Sequence, residues 1–142
     1  MVFIPLCYYV HMYNVLIADD EPMIRRGMAH LIPWETYGFS LVASAASGAE
    51  ALALCKKMTV HLLITDIRMP ETDGLRLIKA LSEHSPDTVF VVLSGYSEFE
   101  YARQALNLGV YQYLLKPINP NELITTLKGV KLLLDAQHPC KT

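Results

Sequence analysis

The sequence predicts an α/β fold, a doubly wound parallel sheet made of five β-α units. Three observations predict it. Five short apolar runs recur along the chain, several of them nearly continuous in aliphatic and β-branched residues. Strands covered on both faces read that way, whereas half-exposed strands alternate. The stretches between the runs carry helical period and helix start signals. Finally, 142 residues with 52% apolar content suit one compact domain with a substantial core.

The elements follow in order. The first strand is NVLIA, Asn14–Ala18, and Pro22 opens a helix that runs to about Leu31. SLVASA, Ser40–Ala45, is the second strand. Ser47 and Glu50 then form a capping box before AEALALCKK. HLLIT, His61–Thr65, is the third strand, and a helix from Asp73 to about Glu83 follows. The fourth strand is TVFVVLS, Thr88–Ser94, and Ser97 with Glu100 caps the next helix. YQYLL, Tyr111–Leu115, is the fifth strand. Asn119, Pro120 and Glu122 open the last helix, where Leu123, Leu127, Val130 and Leu134 form one apolar stripe. Right-handed crossovers place helices on both faces. The commonest solution for such a chain is the flavodoxin-like strand order 2-1-3-4-5, which binds ligands outside the carboxyl ends of the strands, beside the first.

Composition bounds the function. A net charge of −2, without blocks of one sign, gives no reason to expect nucleic acid or an anionic membrane as partner. Cys7, Cys55 and Cys140 lack metal-ligand spacing and read as free thiols in a reducing cytoplasm, Cys55 near a helix core face. Residues 1–11, MVFIPLCYYVH, have no basic start and no cleavage site, and they are too short to span a bilayer. They are expected to be a poorly ordered extension, with 12–136 the domain and 137–142 a tail.

The functional edge is where the chemistry lies. The first strand delivers Asp19, Asp20 and Glu21, the third Asp66, the fourth Ser94 and Gly95, the fifth Lys116 and Pro117. Clustered carboxylates are costly unless a cation neutralises them. An all-oxygen donor set favours a hard ion, Mg²⁺, with Mn²⁺ an alternative. Asp20 and Asp66 are expected as direct ligands, Asp19 directly or through water, and the Arg68 backbone carbonyl as a further oxygen. Asp66 can then act as a nucleophile toward phosphorus. Of the phosphoryl oxygens, one falls to the metal, one to the Lys116 ammonium, one to the Ser94 hydroxyl with nearby N–H groups.

These residues resemble the receiver domain of two-component response regulators. The resemblance rests on IADDEP, TDIRMPETDG, VVLSGY and YQYLLKP, in order and each at a strand end, and covers about Met12 to Ala136. It implies that Asp66 is phosphorylated by a sensor histidine kinase and that Asp19 and Asp20 bind the metal. It further implies that Ser94 is the switch hydroxyl, Tyr113 the aromatic switch and Lys116 the family's basic residue. The Lys116–Pro117 bond is implied to be cis, and Arg68 and Tyr96 to tune phosphoryl lifetime. DIRMP, SGYSEFEYARQAL and GVYQYLLKPI are similar to YesN-like regulators, which usually carry an AraC-type DNA-binding domain. This chain ends soon after its last helix, so it reads either as an excised receiver, with a transcriptional role in a parent protein, or as a protein that signals through partners; DNA binding is not expected of the chain itself. The resemblance implies a phosphoacceptor that catalyses only its own phosphorylation and slow dephosphorylation.

Blander readings compete. Met69, Pro70, Asp73 and Gly74 read as loop geometry, with Gly74 allowing a tight turn and Asp73 capping the next helix. Tyr113 is equally readable as a packed core residue. Arg25 and Arg26 fit either a kinase contact or a solvated face. The face of the fourth helix, fifth strand and fifth helix, with Glu98, Arg103, Tyr111, Tyr113 and Lys128, is expected to carry the signal by changing affinity for a second copy, in a homodimer, or for another partner. An FMN carrier of the same fold needs a Ser/Thr/Gly-rich loop where this chain has Asp19–Asp20–Glu21. An Asp-nucleophile phosphohydrolase needs D-x-D after the first strand, and the chain lacks it.

Overall fold

A computed structural model describes residues 12–95 and 99–138. Its elements are β1 (Tyr13–Ala18), α1 (Pro22–Leu31), β2 (Phe39–Ala45), α2 (Gly48–Lys57), β3 (Leu62–Asp66), α3 (Gly74–His84), β4 (Val89–Ser94), α4 (Phe99–Asn107), β5 (Gln112–Leu115) and α5 (Pro120–Gln137). All strands are parallel, in the order β2-β1-β3-β4-β5. The expected fold and strand order are thus both present. The expected extension 1–11, the cap Ser97, Glu98, Tyr96, Cys7, Cys140 and residues 139–142 lie outside the described residues.

Strand alternation splits the core into two layers. Tyr13, Val15 and Ile17 of β1 face α1 and α5, packing with Met28, Ile32, Leu123 and Leu127. Leu16 and Ala18 face the other way, toward Ala51 and Cys55 of α2 and Leu77, Ile78 and Leu81 of α3. The whole predicted stripe of α5, Leu123, Leu127, Val130 and Leu134, is fully buried. Ser47 accepts from the Glu50 N–H as expected, but Glu50 reaches back to the N–H of Ala46, one residue before the cap. Asp73 caps α3 through the N–H of Arg76.

Two features differ from the simple pattern. A 3₁₀ turn, Trp34–Tyr37, follows α1, and the Trp34 indole donates to the Met28 carbonyl (3.1 Å). β2 is an edge strand, and its pairing with β1 skips Val42, which stands exposed at a bulge.

At the opposite end of the sheet from the acidic residues, the last turns of α5 are fastened to β1. The Tyr13 hydroxyl donates to Asp135 Oδ1 (2.6 Å), and Lys131 Nζ lies 2.8 Å from the same oxygen. Lys131 also sits 4.9 Å from the Tyr13 ring centroid. Burial pushes the Tyr13 phenol well above its ordinary range, and the bond to the Asp135 carboxylate pushes it further. A raised phenol favours the protonated folded state. Its contribution is therefore complete below the ordinary tyrosine value of about 10 and is lost as pH climbs above it. We expect Tyr13→Phe to cost roughly 1–2 kcal/mol at pH 7 in urea unfolding. Above pH 10 its stability should fall less steeply than the parent's; parallel pH profiles would refute the assignment.

Candidate functional site

Parallel strands deliver their C-terminal residues to one edge, and here that edge is acidic. β1 ends at Ala18, so Asp19 follows it directly and is fully buried. Its Oδ1 accepts from the Glu21 N–H (2.9 Å), which closes the turn into α1, and Arg25 donates to its main-chain carbonyl. Asp66 closes β3, is 7% exposed, and has its Oδ1 fixed by the N–H of Ile67 (2.8 Å). Carboxylate oxygens of Asp19, Asp20, Glu21 and Asp66 all lie within 4.8 Å of one another.

Lys116 enters from the end of β5, where its N–H donates to the Ser94 carbonyl (2.7 Å). Its ammonium bonds to Asp66 Oδ2 at 3.0 Å and lies 3.0 Å from Asp19 Oδ2 and 3.7 Å from Glu21 Oε1. The contact to Asp19 is an ion pair, and Asp19 Oδ2 has no hydrogen bond of regular geometry. The Lys116 ammonium is thus paired with three members of a four-carboxylate cluster. The balance shows in the ionisation of the central pair. Burial raises the Asp66 carboxyl above its usual range and Asp19 adds to this, while Lys116 and the Ile67 N–H oppose both without cancelling them. For Lys116, burial acts to lower the pKa, but the bonds and charges of Asp66 and Asp19 prevail and the net shift is upward.

Four oxygen-donor side chains and a buried carboxylate oxygen lacking a hydrogen bond make the donor set of a hard divalent cation. Among the described residues no histidine or thiol joins the cluster.

The other predicted residues take less direct places. Ser94 is buried at the end of β4, beside the Leu93 that pairs with Asp66. Its hydroxyl donates to the Gly95 carbonyl (3.2 Å) rather than to Asp66. Tyr113 is half-buried on β5 against the α2–α3–α4 layer. Arg68 is exposed on the loop after Asp66. The Lys116–Pro117 peptide bond is cis. Tyr96 lies outside the described residues.

Glu21 did not figure among the sequence-predicted ligands. It stands at the N-cap of α1 yet makes no side-chain cap bond there, and its carboxylate joins the acidic cluster. Three consecutive acids leaving a strand were the available signal. Gly74 also has a different role from the tight turn expected of it. Its φ is ordinary, and a Cβ there would overlap the Asp66 carbonyl oxygen. The small residue is needed for close approach of α3 to the strand end.

Residues 15–128 match the response regulator receiver domain family. The chain is 47% identical over 133 residues to the uncharacterized transcriptional regulatory protein YesN of Bacillus subtilis, covering 92% of this chain and 36% of that protein. It is 39% identical over 127 residues to the transcriptional regulatory protein HptR of Staphylococcus aureus, covering 89% and 50%. The chain thus spans half or less of these relatives. Among solved structures it is similar to the receiver domain of AraT, a response regulator from Geobacillus stearothermophilus, with TM-score 0.86, 41% identity, and 89% and 98% of the two chains covered.

Crowded like charges carry a thermodynamic signature. A carboxyl with a raised pKa destabilises the fold while ionised, and the penalty fades as pH falls and it takes up a proton. We expect Asp66→Asn to raise the melting midpoint in chelator at pH 7 by a few degrees, about 1 kcal/mol. The gain should shrink toward acid pH. A lower midpoint would mean that the pairing with Lys116 outweighs repulsion from Asp19.

Proposed function

The chain belongs to the response regulator receiver domain family, and from that premise we propose that Asp66 takes a phosphoryl group from a sensor histidine kinase in a two-component phosphorelay. The observation that carries this reading is the shared ammonium: Lys116 stands 3.0 Å from both Asp66 and Asp19 at the C-terminal edge of the sheet. A carboxylate so placed has a counter-charge beside it and a backbone N–H holding its second oxygen.

In the proposed step an Asp66 oxygen forms a bond to phosphorus as the bond from phosphorus to the kinase imidazole breaks. The electron pair of that bond leaves with the ring nitrogen. Asp19, Asp20, Asp66 and the Arg68 carbonyl would hold Mg²⁺, or Mn²⁺ in its place, which would supply neutralising charge to a phosphoryl oxygen. Lys116 takes a second oxygen, exchanging one anionic partner for another. Ser94 gives up the Gly95 carbonyl for the third, and Tyr113 follows it inward. Arg68 and Tyr96 set how long the phosphoryl group survives. The change is read on the α4–β5–α5 face, where Arg103, Tyr111 and Lys128 are exposed, by a second copy or another partner. Glu98 of that face lies outside the described residues.

No helix among the described residues is long and apolar enough to cross a membrane. We propose a cytoplasmic domain that does not itself bind nucleic acid and that controls transcription through a parent protein, as the names of its longer relatives suggest.

Incubation with acetyl phosphate and Mg²⁺ tests the reading by intact mass. We expect a gain of one phosphoryl group, absent in Asp66→Asn and with chelator. An undiminished gain in Asp66→Asn would place the acceptor elsewhere. Lys116→Gln should slow labelling roughly 100-fold, while Ser94→Ala should keep the label and lose the response of the α4–β5–α5 amide resonances.

A further inference from the structure

The loop from Ile67 to Asp73, which follows the acceptor and carries Arg68, is a closed piece of chain. Gly74 N–H donates to the Ile67 carbonyl (2.7 Å), and Thr72 N–H donates to the Pro70 carbonyl (2.8 Å). Between them Glu71 takes a left-handed conformation, φ 68°. Gly74 seats the base of the loop against the Asp66 carbonyl. Its far side is seated by a residue from another element, outside every motif that carries the family resemblance.

That residue is Gly48, buried at the first position of α2. A Cβ there would overlap the Thr72 carbonyl oxygen and come within 2.9 Å of Thr72 Cβ and 3.1 Å of the carbonyl carbon. The obstacle is largely main chain, so no rotamer change relieves it. Gly48 has no positive φ, and glycine is a poor helix residue, so conformational freedom does not explain its presence. The start of α2 is itself held by the Ser47 and Glu50 caps, which leaves the loop as the part that must yield.

Resting on the phosphoacceptor reading, we propose that Gly48 is a positioning residue for the cation site: by letting α2 touch Thr72, it fixes the loop that presents the Arg68 carbonyl. It acts through Thr72 and touches neither ion nor phosphoryl group. Groups that support ligands from behind commonly change metal affinity by ten- to a hundredfold when altered.

The test is calorimetric Mg²⁺ titration of the full chain, with amide resonances of Arg68 to Thr72 as a second readout. Gly48→Ala should weaken Mg²⁺ binding about tenfold and shift those resonances. Thr72→Gly removes the side-chain part of this contact and loosens the loop backbone without creating an overlap, and should weaken binding several-fold. Gly129→Ala, whose Cβ would meet the Tyr111 hydroxyl far from the loop, should alter stability and leave the Mg²⁺ affinity within twofold. A folded Gly48→Ala with parental affinity overturns the proposal. Should Gly48→Ala fail to fold, parental affinity in Thr72→Gly overturns it equally. A parent chain that binds no Mg²⁺ defeats the phosphoacceptor reading and this one with it, whereas binding by the parent and variants alike defeats this one alone.

Discussion

Four carboxylates within 4.8 Å of one another, three of them paired with the Lys116 ammonium, are the interaction on which the rest of this structure turns. In water such a group would disperse. Here the strand ends forbid dispersal: Asp19 directly follows β1, Asp66 closes β3, and both are buried. Lys116 reaches them only because β5 runs parallel to both and ends at the same edge. Breaking the parallel order would scatter the charges, so fold and site are one constraint.

Such a site needs a scaffold stiff enough to resist repulsion. The two packed layers supply it, because every central strand is covered on both faces and cannot slide without moving side chains into the wrong layer. The loops after the strands are held by specific bonds: Ile67 N–H on Asp66, Glu21 N–H on Asp19, Lys116 N–H on Ser94. Main-chain donors thus aim the carboxylates, and the residual cost stays lodged in the raised Asp66 carboxyl.

Much of this was legible in the sequence, for physical reasons. Continuous apolar runs marked the buried strands, and the spacing of Leu123, Leu127, Val130 and Leu134 marked the inner face of α5. The acids and Lys116 were findable because they stand just past those runs. What escaped has no periodic signal. SLVASA reads the same in an edge strand as in a central one, so the exposed bulge at Val42 was invisible. The 3₁₀ turn at Trp34 depends on an indole reaching a carbonyl six residues back. Glycine reports only that a side chain is missing, and whether a turn or a close approach needs it depends on what packs there, as at Gly48 and Gly74.

The placement of Ser94 bears on how such a site could drive a change of state on the proposed reading. A ligand shifts an equilibrium only by the difference in its interaction with two states. The Ser94 hydroxyl has a partner already, the Gly95 carbonyl at 3.2 Å, a long bond to a neutral acceptor. Neutral bonds contribute about 0.5–1.5 kcal/mol and bonds to charged acceptors about 1.5–3 kcal/mol. Exchanging one for the other favours the moved serine by roughly 1–2 kcal/mol, a five- to thirtyfold shift. That suffices to redirect a balanced pair of states and not a strongly biased one. The half-buried Tyr113 fits a balanced pair, since moving it inward would add buried area instead of breaking a filled core. On the proposed reading the serine exchange tips the balance, and the buried area gained by the tyrosine adds to the same difference.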